Sequence, residues 1–112
     1  MLPLFVYGSL RDPCVRARLL GARSEIEARP ATLPGHRRIM VPDFDYPFVV
    51  PSRPGDAVDG DLLAGLTPAD YATLDRYEDV DDGLYVRVAV TVHTDCGSAD
   101  AWVYLKGPTD PR

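Results

Sequence analysis

The sequence predicts an α+β domain in which short strands form a small closed or strongly curved sheet accompanied by two main helices. Three observations carry that prediction. Eleven prolines and nine glycines in 112 residues divide the chain into short segments joined by turns. Two segments carry helix-start signals, Asp12-Pro13 and Thr67-Pro68-Ala69-Asp70. Over residues 85–93, Val86, Val88, Val90 and Val92 alternate with Arg87, Ala89 and Thr91. That period of two belongs to a strand with one buried face. Closure would remove the exposed edges of such a sheet, and two helices among many strands make the α+β class.

Residues 2–7 (LPLFVY) read as a buried first strand. Asp12 caps a helix whose first residue is Pro13, where a missing N–H costs nothing, and Gly21 stops it after about Leu20. Residues 25–33 and 37–41 read as strands around the Pro34-Gly35 turn. A turn-rich crossing, PDFDYP (42–47), leads to a short strand at Phe48-Val49-Val50. Pro54-Gly55-Asp56 turns the chain into a strand over 57–66, with Val58, Leu62 and Leu63 buried. Thr67 and Asp70 occupy capping-box positions and open a helix that runs to about Glu78 or Asp79. Asp82-Gly83 breaks into the alternating strand, Asp95-Cys96-Gly97 makes a hairpin turn, and 99–105 returns as the partner strand. Residues 1–106 are expected to form one domain, and 107–112 (GPTDPR) a short loose tail.

Composition excludes several classes of function. The net charge is −5 and the basic residues are scattered, so no nucleic-acid footprint is present. No apolar stretch approaches the roughly 20 residues of a membrane span. The opening MLPLFVYGSL lacks a basic region and a cleavage site, and reads as a strand rather than a signal peptide. Cys14 and Cys96 are isolated, without a C-x-x-C pair, and the expected location is the reducing cytoplasm.

At about 100° per residue, Leu66, Tyr71, Leu74 and Tyr77 define the apolar sector of the second helix. Glu78 stands at its edge, Asp75 and Asp79 turn further toward solvent, and Arg76 lies opposite. Glu78 is therefore the acid best placed for partial burial, which raises a carboxyl pKa and suits it to proton transfer near neutral pH. The commoner fate of such a residue is a solvated helix end; periodicity leaves both readings open.

The Tyr7-Gly8-Ser9 turn joins strand to helix and exposes successive N–H groups that lack a helical partner. Such groups make a small nest suited to a carboxylate or a developing oxyanion. Gly8 allows close approach of a ligand and a backbone conformation barred to other residues; Ser9 adds a hydroxyl and Tyr7 a wall. The alternative is an ordinary tight turn. Cys14 pairs poorly with His36, in a turn, or His93, at a strand end, and reads as a small core residue. Trp102 and Tyr104 also read as core. Asp43, Asp45, Asp79, Asp81 and Asp82 lack the spacing of a calcium loop, two histidines build no zinc site, and GSLRDP is no phosphate loop. No metal and no cofactor are expected.

Taken together, VYGSLRDP, LPGHRR and DYP, then LDRYED, GLYVRVAVTV and AWVYL, resemble the gamma-glutamylcyclotransferase-like family in order and spacing, over about residues 4–106. The resemblance implies a small mixed β-barrel with a pocket between the Y-G-S loop and a glutamate at a helix end. It implies that Tyr7, Gly8, Ser9 and Leu10 hold the glutamyl end of a substrate and that Glu78 is the acid–base residue. Tyr85, Tyr46 and Pro47 would line the pocket, and Arg87 would be a structural ion-pair partner. YGSLR is nearer the Y-G-T-L-R type, the gamma-glutamylamine-cyclotransferase-like branch, than the Y-G-S-N-L type that acts on free gamma-glutamyl amino acids. Phe48, where relatives often carry a small residue, would narrow the cavity.

The implied reaction is intramolecular. The α-amine of a small gamma-glutamyl substrate attacks its own side-chain amide carbonyl, closing 5-oxoproline and releasing an amine or amino acid. The protein supplies neither nucleophile nor metal, and neither nucleic acid nor membrane is an expected partner. The alternatives are a binding domain of the same fold that holds an acidic metabolite without turnover, and a structural or partner-binding domain.

Overall fold

Closure of the sheet depends on its shortest barrel strand. The computed structural model describes residues 1–23, 25–42 and 47–108. Its elements run β1 (Leu4–Val6), a single 3-10 turn (Ser9–Arg11), α1 (Pro13–Leu20), β2 (Glu27–Pro34), β3 (His36–Ile39), β4 (Phe48–Pro51), β5 (Ala57–Ala64), α2 (Pro68–Tyr77), β6 (Tyr85–Thr94) and β7 (Gly97–Lys106). β1 pairs antiparallel with β5 and parallel with β7, so three residues close a mixed barrel in the order β1-β5-β2-β6-β7. The other barrel pairings are antiparallel, and β3 and β4 form a separate two-stranded sheet. The expected closed α+β barrel with two helices is what the chain forms.

Strand alternation divides the apolar residues into two cores. Phe5, Leu33, Val58, Leu62, Val92 and Val103 cluster within the barrel, with Val49 of β4. Leu4, Val6, Leu63 and Tyr104 face the other way and pack with Tyr71 and Leu74 of α2. Close packing has a local requirement at Gly60. A Cβ there would stand 2.2 Å from the Val6 carbonyl oxygen and 2.7 Å from Phe5 Cζ.

The helix boundaries follow local chemistry. Asp12 accepts from the Cys14 N–H at 2.8 Å, Pro13 is the first helical residue, and Gly21 ends α1 at a φ of 84°. The Thr67 hydroxyl accepts from the Asp70 N–H while the Asp70 carboxylate accepts from the Thr67 N–H, the reciprocal capping box. Asp70 is buried, and the Arg23 guanidinium beside it holds its carboxyl below the usual range, aided by the Thr67 bonds.

Cys14 departs from expectation: α1 buries no residue fully, and Cys14 is exposed. Only Val15, Leu19 and Leu20 of that helix lean on the outer core. At the far end of β7, Gly107 is buried and its N–H donates to the Leu84 carbonyl at 2.8 Å. Residues 43–46, within the expected PDFDYP crossing, and most of the expected tail, 109–112, lie outside the described residues. No helix is long and apolar enough to cross a membrane among the described residues.

Candidate active site

The chain leaving β1 turns at Gly8 into the 3-10 turn, and the first N–H groups of such a turn have no intrahelical acceptor. The Arg11 N–H closes it on the Gly8 carbonyl, and the Asp12 N–H closes on that of Ser9. Gly8 itself has a φ of −126°, so the positive φ that favours glycine is not used here. A Cβ at this position would make only ordinary contact with Pro47, at 3.7 Å. What Gly8 leaves beside Pro47 is room.

Across from this cradle, α2 ends in a Schellman motif. Glu78 is the C-cap, the Asp79 N–H donates to the Arg76 carbonyl, and the Val80 N–H donates to that of Asp75. The left-handed position falls on Asp79, at a φ of 52°, where glycine is usual. This motif places Glu78, Asp79 and Tyr77 at one rim.

Between cradle and helix end lies a cavity of about 310 Å³. Tyr7, Gly8, Ser9 and Leu10 line it on one side and Tyr77, Glu78 and Asp79 on the other. Phe5, Val6, Pro47, Leu84, Tyr85 and Tyr104 complete the wall. Seven of the eight residues expected at the pocket thus meet in one cavity, and the eighth, Tyr46, lies outside the described residues. Tyr85 stacks on Phe48 with ring centroids 4.7 Å apart and donates its hydroxyl to the Pro47 carbonyl at 3.1 Å.

Glu78 is partly buried rather than enclosed. Burial, and secondarily the neighbouring Asp79 carboxylate, push its carboxyl up to about 7 from an ordinary 4.5. A carboxyl titrating there takes and returns protons near neutral pH. The Tyr7 phenol is pushed well above its usual value, chiefly by burial and then by Tyr85 and Glu78. It stays protonated and donates to the Tyr104 carbonyl. No lysine, arginine or histidine lines the cavity among the described residues, and neither cysteine does.

Periodicity misplaced two side chains. Asp75, expected toward solvent, accepts from Arg87 Nε at 3.0 Å, from Arg87 Nη2 at 3.2 Å and from the Tyr104 hydroxyl at 2.7 Å. Tyr77, expected in the apolar sector, is 43% exposed at the cavity rim, its hydroxyl 3.1 Å from Ser9 Oγ. Tyr104, read as core, is buried and also walls the cavity. A sequence signal for Asp75 does exist: it stands three residues before Glu78, a spacing that puts both on neighbouring helix positions.

A family model described as gamma-glutamyl cyclotransferase, AIG2-like, matches residues 4–112. The chain belongs to this family. AIG2-like protein A of Arabidopsis thaliana is 39% identical over 89 residues, covering 80% of this chain and 50% of the relative. AIG2-like protein C of the same plant is 34% identical over 109 residues, covering 96% of this chain and 61% of the relative. The chain thus spans about half to three fifths of the length of these curated relatives. The solution structure of At5g39720.1 from Arabidopsis thaliana superposes with a TM-score of 0.80 at 33% identity, covering 98% of this chain and 72% of that one. A structure named gamma-glutamyl cyclotransferase shares the fold, with a TM-score of 0.76 at 21% identity over 94% of this chain and 66% of that one.

Proposed function

We propose that this chain is a gamma-glutamyl cyclotransferase that converts a gamma-glutamylamine into 5-oxoproline and the free amine. The observation that carries this reading is the shared cavity: the Glu78 carboxyl and the Tyr7–Leu10 cradle line the same 310 Å³ space. Cradle N–H groups hold the glutamyl end and the developing oxyanion. Glu78 accepts a proton from the substrate's α-ammonium; the freed amine attacks the γ-carbonyl carbon, forming the ring C–N bond. The exocyclic C–N bond then breaks as Glu78 returns the proton to the leaving nitrogen, and the second proton still on the ring nitrogen passes by way of Glu78 to the released amine, which departs as an ammonium. One bond forms, one breaks, and no water is consumed. Holding the chain in its ring-closing conformer contributes several kcal/mol, on the order of the 7–11 kcal/mol available to well-oriented intramolecular reactions.

The choice of a gamma-glutamylamine over a gamma-glutamyl dipeptide follows from charge. Two carboxylates, Glu78 and Asp79, stand at the rim, and no basic side chain lines the cavity among the described residues. A leaving group with its own carboxylate would meet like charge there.

The test is 5-oxoproline release from a panel of gamma-glutamyl alkylamines and gamma-glutamyl dipeptides, run with wild type and Glu78→Gln. Wild type is expected to favour the alkylamines about tenfold or more in kcat/KM, and Glu78→Gln to lose about 10²–10⁴ in kcat. Ligand binding without turnover in wild type would replace the enzyme by a binding domain.

A further inference from the structure

We infer that Asp75 is a positioning residue, whose carboxylate clasps the last turn of α2 to β6 and β7 and so holds Glu78 over the cavity, opposite the Gly8–Ser9 backbone. The proposal takes Glu78 as the proton-transfer group and concerns what keeps it in place.

Glu78 follows the last helical residue of α2, where a helix end frays unless it is tied down. Three ties converge on Asp75. Its main-chain carbonyl accepts from the Val80 N–H at 3.0 Å, closing the turn that fixes Glu78 as C-cap. Its carboxylate receives both prongs of Arg87 from β6. The same carboxylate receives the Tyr104 hydroxyl from β7. The Arg87 guanidinium is itself held between two rings, 4.8 Å from the Tyr71 centroid and 4.7 Å from that of Trp102.

Tyr104 extends the clasp to the other half of the site. Its main-chain carbonyl accepts the Tyr7 hydroxyl, and Tyr7 opens the cradle. Asp75, Tyr104 and Tyr7 therefore form one hydrogen-bonded chain running from the helix that carries Glu78 to the backbone facing it. Two-pronged guanidinium–carboxylate pairing fixes orientation as well as distance, and misplacement of a reacting group by about 1 Å can cost roughly 10²-fold in rate.

Other titratable groups face Glu78 and could move its protonation directly: Asp79 from the adjoining turn, Tyr77 from α2, Tyr7 from the cradle, Tyr85 from β6 and Tyr104 from β7. Sign separates those influences from positioning. Removing the Arg87 cation would, by charge alone, make the Glu78 carboxylate harder to form. Loosening the clasp would let Glu78 reach water and make it easier to form.

The experiment is a carbon-13 NMR titration of the Glu78 carboxyl in wild type, Asp75→Asn, Arg87→Gln and Tyr104→Phe, with amide spectra confirming the fold. Positioning predicts a midpoint lowered by about one pH unit in all three variants as the carboxyl rehydrates. A midpoint that rises in Arg87→Gln, or stays put in Tyr104→Phe, overturns it. Tyr104→Phe removes one hydroxyl and no charge, so it decides the question should the Arg87 variant not fold. In the presence of a gamma-glutamylamine the same variants are expected to lose about tenfold or more in kcat with KM within about threefold, the amide spectra showing that the loss is not one of folded enzyme. Absence of 5-oxoproline release by wild type would remove the cyclotransferase reading, while the titration would still decide the role of Asp75.

Discussion

Ser9 Oγ and the Tyr77 hydroxyl lie 3.1 Å apart, so the cradle touches the helix end one residue before Glu78. The pair sits at the exposed rim of the cavity. Exposed hydroxyl pairs contribute little to stability, about 0.5 kcal/mol or less. Tyr77→Phe is therefore expected to leave the melting temperature unchanged. It should raise KM for a gamma-glutamylamine about two- to fivefold, because Ser9 loses the partner that orients it. Steady-state kinetics and a thermal melt check both halves.

Glu78→Gln should stabilise the protein at neutral and alkaline pH while lowering kcat about 10²–10⁴-fold. The carboxyl titrates at about 7 folded against 4.5 ordinarily, so between those values the folded state binds more protons than the unfolded one. The contribution of this group to wild-type stability is then fully present below about pH 4.5, is lost as pH rises to about 7, and changes no further above it. Glutamine carries no such penalty. The variant should exceed wild type by on the order of 2 kcal/mol at pH 8, allowing for partial exposure, and by little at pH 5. Urea denaturation at the two pH values measures the gap.

Asp79→Gly should raise stability and shift the activity profile together. Glycine accepts the φ of 52° without strain, a gain of about 1 kcal/mol. Removing the Asp79 carboxylate also removes the second cause of the raised Glu78 pKa. The acid limb of the kcat–pH profile is expected to move to lower pH. A melt and a pH–rate series test the two effects.

Gly60→Ala should damage fold and activity alike. The new methyl would meet the Val6 carbonyl oxygen and the Phe5 ring at distances no packed carbon occupies, so β1 must move off β5. Overpacking of this kind costs about 1–3 kcal/mol. Displacing β1 displaces the cradle that follows it, so both the denaturation midpoint and 5-oxoproline release should fall.

Much of this molecule follows from interactions between near neighbours in the chain. Asp12-Pro13, the Thr67–Asp70 box, Gly21 and the Val86–Val92 alternation each specify their element within a few residues, so the sequence determined them by itself. Short motifs in a fixed order likewise determined the family and brought forward Tyr7, Gly8, Ser9, Leu10, Tyr85 and Glu78.

Tertiary structure decided the rest, because partners distant in sequence leave no local pattern. The parallel pairing of Leu4 with Trp102 closes the barrel and was open from sequence, where a curved sheet served equally well. Periodicity scores each side chain as apolar or polar, and so it sent Asp75 outward and Tyr77 inward. Arg87 and Tyr104, on strands packed beneath α2, reverse the first assignment by giving a carboxylate its hydrogen-bond donors. The rim of the cavity reverses the second, since a phenol at a helix end can meet Ser9 and water together.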